Sequence, residues 1–314
     1  MQPSTSPHDM SSSRQSCEIP PARFCDWKTY RCAYEVYGPE TSSLPPLLLI
    51  HPIGVGLARS FWHRFCQKWQ ELEPNRAIYS PDLLGCGESD MPTLAYRPLD
   101  WAEQLQHFTS TVIQQPAIVI TQGALMSVAL ELGGLPDADS LVKAHIWSGP
   151  PAWSIVSKPA VEWQQQLAWR FFRSPLGNGF YRYARRKAFL DSFSQQKLFA
   201  EPGAVDREWL SLLHAGSRDM ASRHAVFAFL AGFWRQDYRP QLSSLSQPTF
   251  VTFGDSASSI SRTGQVEPAS ERLRDYLDCL PHGSGCITPG RNVLPYENTH
   301  DFVTAISSFI QEIA

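Results

Sequence analysis

No run of apolar residues in this chain approaches the length of about 18 needed to cross a bilayer, so no membrane-spanning helix is expected. Basic residues are not in excess either. The chain has 27 Lys and Arg against 30 Asp and Glu, a net charge of −3. A surface for phosphate backbones needs the opposite sign, which excludes nucleic acid as the main partner. There is no C-x-x-C pair. The seven cysteines (17, 25, 32, 66, 86, 279 and 286) are scattered and odd in number, so they suggest no disulfide framework and no metal site. They read as reduced thiols in a cytoplasmic protein. The opening MQPSTSPHDMSSSRQSC lacks the apolar segment of a secretory signal, and residues 1–21 read as a disordered polar tail. No internal repeat is apparent.

What remains is ample for a core. The 314 residues are 43% hydrophobic and 18% charged, which suits one large α/β domain with room for an insertion. Residues 22–38 alternate apolar and polar around a polar centre, as a β-hairpin does. Leu47–Ile50 is a fully buried strand ending in a His51-Pro52-Ile53-Gly54-Val55-Gly56 loop. Phe61, Phe65, Trp69 and Leu72 recur at helical spacing, and Ala77–Ser80 is the next strand, running into Pro81–Asp90. Asp100 and Glu103 suggest a capping box for a helix through Phe108 and Val112.

The chain then reaches Ile118–Leu132, IVITQGALMSVALEL: β-branched residues, a sharp turn at Gln122-Gly123-Ala124, and an apolar helix. Strands follow at Ala144–Ser148, Pro248–Phe253 and Cys286–Thr288, with helices near Glu271–Leu280 and over Phe302–Ile313. Alternation of this kind implies a mostly parallel sheet of about eight strands, covered on both faces. It breaks only at 152–245, a helical stretch holding five of the ten tryptophans. The expected division is a core of 22–151 and 246–314 with a helical cap at 152–245 lying over the strand ends.

Three features together resemble the α/β-hydrolase superfamily over about residues 22–314. His51-Pro52-Ile53-Gly54 is similar to its H-G-x-P loop, Asp82–Asp90 to its D-x-x-G-x-G-x-S, and 118–132 to its strand-elbow-helix. The resemblance implies an α/β-hydrolase fold with a cap, a pocket between sheet and cap, and a nucleophile, acid and histidine at set places. Those places are held by Gly123, Ala257 and Asn292, and none of these types performs the family's chemistry. Asp255 lies two residues before the acid position. His300 falls in the last helix. Thr121 and Leu125 replace the small residues that usually flank the elbow, so a side chain at the apex would be strained, whereas glycine takes positive φ at little cost.

The resemblance also places the backbone N–H groups of Ile53 and Ala124 as an oxyanion hole, able to bind a ligand without the triad. Ser127 and Cys86 read as packing residues, Asp82 and Asp90 as loop braces. His51 and Asp255 are the remaining weak candidates for a catalytic role. Arg182, Arg185, Arg186 and Lys187 lie beside Phe180, Tyr181, Tyr183 and Phe189. That could dock an anionic lipid headgroup or an acidic partner, but so short a run favours a solvated helix face with its aromatics packed inward. The expected function is a non-catalytic binder of a small apolar ligand or a protein at the cap, with no cofactor. The alternative is an esterase-like enzyme of the same superfamily using a non-standard set, with His51, Asp255 or Asn292 and a water. A third reading is a scaffold whose exposed cap is the working surface.

Overall fold

The computed structural model describes residues 18–260 and 267–313, so the expected tail, apart from 18–21, lies outside the described residues. Strand β1 (Arg23–Trp27) and strand β2 (Tyr30–Tyr37) form the antiparallel hairpin, turning at Lys28 with φ 56°. Strands β3 (Leu47–Ile50), β4 (Ile78–Pro81), β5 (Ala117–Gln122), β6 (Val142–Ser148), β7 (Thr249–Gly254) and β8 (Gly283–Thr288) complete one sheet. Its order is β1-β2-β4-β3-β5-β6-β7-β8, antiparallel at β1/β2 and β2/β4 and parallel from β4 through β8.

The two-residue period of each strand sorts its side chains onto opposite faces. Leu47 and Leu49, Ile118 and Ile120, and Ile146 and Phe250 pack with Phe65 and Trp69 of helix α1 (His63–Leu72). They share that cluster with Phe302, Ile306 and Phe309 of the last helix (Thr299–Ile313). Leu48, Ile50, Tyr79 and Val119 pack on the other face with helices α2 (Pro98–Phe108) and α3 (Met126–Gly134). Continuous apolar runs such as Leu47–Ile50 follow from this, because both faces are covered.

The capping box at the start of α2 differs from expectation. Pro98 opens the helix, and the Asp100 carboxylate, three residues in, accepts the Arg97 N–H at 2.8 Å. Proline has no N–H to lose at that place, so it outcompetes Asp100 as the start. Glu103 instead pairs with Lys28 across the surface.

Between β6 and β7 the described chain is helical throughout. It runs α4 (Trp153–Val156), α5 (Glu162–Arg173), α6 (Pro175–Ala184), α7 (Lys187–Phe193), α8 (Arg207–Gly216), α9 (Arg223–Leu230) and α10 (Arg239–Ser243). Helix α11 (Ala269–Cys279) then covers β7 and β8, and α12 (Leu294–Glu297) precedes α13 (Thr299–Ile313). One of the inserted helices, α8, touches the loop that follows β3. A Cβ on Gly56, in the loop after β3, would collide with the Leu213 carbonyl of α8, and one on Gly216 would collide with Gly56. Two glycines therefore allow helix and loop to touch backbone to backbone.

Part of the insertion packs directly on the core. Trp169, Tyr181, Phe227 and Phe233 of the insertion share one apolar cluster with Leu84, Tyr96 and Leu125 of the core. The aromatics beside the Arg182–Lys187 run depart from expectation. Tyr181 is buried, but Phe180 and Tyr183 point outward, Tyr183 with 53% of its surface exposed. At about 100° per residue Phe180 and Tyr183 stand about 100° and about 160° from Tyr181 around the helix, so burying Tyr181 turns the other two toward solvent.

Candidate functional site

The elbow keeps its shape. Strand β5 ends at Gln122, Gly123 takes φ 65°, and a short 3-10 turn leads into α3. The crowding expected from Thr121 and Leu125 is not found there. A Cβ built on Gly123 meets nothing within 4 Å, because both flanking side chains are buried in the core beneath the apex. Gly123 faces open space, and only its positive φ disfavours a side chain. Neither Ile53 N–H nor Ala124 N–H has a hydrogen-bond partner among the described residues, and the two groups follow the paired strand ends Ile50 and Thr121. Ser127 lies one turn into α3, its hydroxyl donating to the Ala124 carbonyl at 2.8 Å.

His51 is fully buried after β3. Its Nε2 accepts the Leu83 N–H at 3.0 Å, which places the proton on Nδ1, in contact with the Pro52 carbonyl at 3.0 Å. Burial pushes its pKa down, so the ring is neutral. No ring nitrogen is left to take a proton from a substrate, which corrects the reading of His51 as a base. What His51 holds is the loop that carries Ile53.

Beneath it lies a buried ion network. Arg59 pairs with Glu35 at 2.8 Å and with Asp82 and Glu88, and His63 Nε2 lies 3.0 Å from Glu35. Asp82 also accepts the N–H groups of Arg59 and Glu88, each at 2.8 Å, while Asp90 accepts the Arg31 N–H at 2.8 Å. The D-x-x-G-x-G-x-S stretch is thus a brace, as its two aspartates suggested. Burial raises Glu35, but the His63 hydrogen bond and the charges of His63 and Arg59 outweigh it and leave it lowered. Cys86 is buried, and that burial raises its thiol pKa beyond nucleophilic use.

The loops that follow β7 and β8 meet closely. A Cβ on Gly254, the last residue of β7, would strike the carbonyls of Gly290 and Arg291, so glycine there lets the two loops meet. Asp255 is exposed and accepts the Gly290 N–H at 3.2 Å. Its carboxylate holds a loop at the surface. Ala257, half-buried, packs its methyl against the cluster of Trp147 and Phe253. His300 sits exposed in α13.

Asn292 is bonded through its side chain and through both of its backbone groups. Its Nδ2 donates to the carbonyls of Lys197 at 2.7 Å and Ser258 at 2.8 Å, and its Oδ1 accepts the Ser258 N–H at 3.2 Å. Its backbone N–H donates to Leu198 at 3.0 Å, and its carbonyl accepts Gln122 Nε2 at 2.8 Å. One residue therefore joins the elbow strand, the loop after β7 and the helical insertion. Arg291 extends the junction, donating to Ser258 Oγ at 3.0 Å and to the Gln196 carbonyl at 2.8 Å. Glu297 accepts the N–H groups of Ala200 and Arg291.

Gln122, Arg291 and Glu297 were missed from sequence. Only Gln122 left a signal, as the polar residue that closes an otherwise apolar strand. Its Oε1 and the Ser148 hydroxyl on the neighbouring strand are buried with no partner among the described residues, so the end of the sheet keeps a polar lining. No group of His, Cys, Asp and Glu among the described residues is arranged to hold a metal. A depression of about 720 Å³ lies away from the elbow, lined by Trp27, His107, Leu135 and Leu141 among others.

Solved structures share this architecture at low identity. An esterase from Thermogutta terrifontis is 18% identical with TM-score 0.68, covering 90% of this chain and 94% of its own. A serine hydrolase involved in carbazole degradation is 17% identical with TM-score 0.70 (93% and 99%). An enol-lactonase from Burkholderia xenovorans is 12% identical with TM-score 0.68 (92% and 100%). No curated protein matches in sequence. The elbow, the braced loop after β4 and the eight-stranded sheet agree with the family model that matches residues 47–305, and the chain belongs to the alpha/beta hydrolase family.

Proposed function

We propose that this family member lacks the Ser-His-Asp triad and binds a small, largely apolar ligand without hydrolysing it. The observation that carries this reading is Asn292. At the place where the family's histidine is sought, its amide is committed to three hydrogen bonds, one to Lys197 of the helical insertion and two to Ser258 of the loop after β7. A group in that role is not free to shuttle protons, and Gly123 offers no nucleophile. The N–H groups of Ile53 and Ala124, beside the open space at Gly123, suit a carbonyl or carboxylate oxygen of the ligand. We take 152–245 as the cap of this pocket.

The competing reading is an esterase-like enzyme with a non-standard catalytic set, and the solved relatives that are hydrolases favour it. One pair of measurements separates the two. Native mass spectrometry of the purified chain should reveal a co-purifying small molecule, and p-nitrophenyl esters should hydrolyse no faster than in its absence. Ester turnover well above background, abolished by Asp255→Ala or His51→Ala, would establish the enzyme instead.

A further inference from the structure

Helices α5 and α6 carry apolar side chains on the face turned away from the protein. On α5 these are Trp163, Leu167 and Phe171, at i, i+4 and i+8, and Trp163 and Leu167 are 64% and 60% exposed. On α6 they are Leu176, Phe180 and Tyr183, at i, i+4 and i+7, with Leu176 at 69%. The opposite faces supply the buried contacts through Trp169 and Tyr181. The two outward stripes meet. Phe172 lies with its ring 5.5 Å from Phe171 and 6.0 Å from Phe180, and Gly177 lets α6 cross the end of α5 against the Phe172 carbonyl. Six large apolar residues standing outward at helical spacing are more than scattered surface exposure.

The charge around this face is of one sign. Residues 161–190 contain Arg170, Arg173, Arg182, Arg185, Arg186 and Lys187 and a single acid, Glu162, in a chain whose net charge is −3. Arg185 is committed to the carbonyls of Ser217 and Arg218. The other five are exposed, and none pairs with a carboxylate among the described residues. Trp, Phe and Leu on one side, with unpaired Arg and Lys beside them, is the composition of a helix that lies in a membrane interface. We infer that the α5–α6 hairpin docks this protein on the surface of an anionic phospholipid bilayer. The apolar stripes enter the acyl boundary, and the five cations without a carboxylate partner, two of them over the Trp169 and Tyr183 rings, meet the headgroups. Charge complementarity selects this occupant over a second copy, since a two-fold dimer on this face would bring like charges together.

Vesicle co-sedimentation of the full chain tests the inference. Vesicles with about one third phosphatidylglycerol in phosphatidylcholine should retain the protein at least tenfold better than phosphatidylcholine alone, and about 0.5 M salt should release it. Leu167→Glu/Phe171→Glu and Arg170→Glu/Arg182→Glu alter only exposed side chains. Each should reduce binding about tenfold with an unchanged melting temperature. Absence of binding at low salt would overturn the inference, as would binding that both variants retain. Loss in the charge-reversal variant alone would overturn insertion of the apolar stripe. A dimer that Leu167→Glu/Phe171→Glu splits, without vesicle binding, would assign the face to a second copy.

Discussion

Gly123 carries the question of activity, and its environment separates two reasons for a glycine. Open space around the built Cβ excludes crowding, while φ 65° keeps the penalty of an L side chain in the left-handed region. Gly123→Ser should therefore fold, with stability lowered by about 1 kcal/mol. On the proposed reading it should gain no ester hydrolysis, since Asn292 stands where the family's histidine is sought. Urea unfolding and a p-nitrophenyl ester assay on the same sample check both halves. Conversion to a working esterase by this one change would show that a base is already in place. His51 makes the complementary point. Its residue type suggested chemistry, but the Leu83 N–H and the Pro52 carbonyl occupy both nitrogens.

The segment 290–297 has become an anchor. Asn292, Arg291 and Glu297 together reach Gln196, Lys197, Leu198 and Ala200 of the insertion, all by side chain to backbone or backbone to backbone bonds. Asn292→Ala removes the side-chain bond to Lys197 and the two to Ser258, and leaves those groups without that partner. The expected loss is about 2–3 kcal/mol. Hydrogen exchange should show faster opening at 196–200 while the central strands β3 and β5 stay protected. Uniform protection, or global unfolding without a local effect, would contradict the anchor. This junction was illegible beforehand because its partners lie about 95 residues away and are mostly backbone carbonyls, which any residue type supplies. The outward turn of Phe180 and Tyr183 was illegible for a related reason: the sequence places the aromatics beside the basic run but does not say which of them the core covers.

For the molecule as a whole, buried histidines set the response to acid. His145, on β6, is fully buried, and both ring nitrogens lack a partner among the described residues. Burial pushes its pKa down to about 4 from 6.5. His224 is also held at about 4, by burial and then by the charges of Arg223 and Arg173. A depressed histidine is protonated in the unfolded chain first, so the unfolded state gains as pH falls from 6.5 toward 4, and stability rises with pH across that window. His145 alone should cost on the order of 2 kcal/mol between pH 7 and pH 5. Melting temperatures across this range should fall, and His145→Leu should flatten the slope. An unchanged slope in that variant would place the acid sensitivity elsewhere.

The sequence by itself determined the sheet, because strand and helix periods are local: Leu47–Ile50 and Ile118–Thr121 are strands by composition and length, and the glycines at 54, 85, 87, 123 and 254 punctuate them. Residue type alone also carries the expectation that Gly123, Ala257 and Asn292 perform no triad chemistry. Only the tertiary structure decided what those positions do instead. Whether His51 is free or occupied, whether an apex is crowded or open, and which stripe of α5 and α6 meets water depend on atoms far away in the chain. Burial and hydrogen-bond partners are properties of the packed molecule, and no local pattern encodes them.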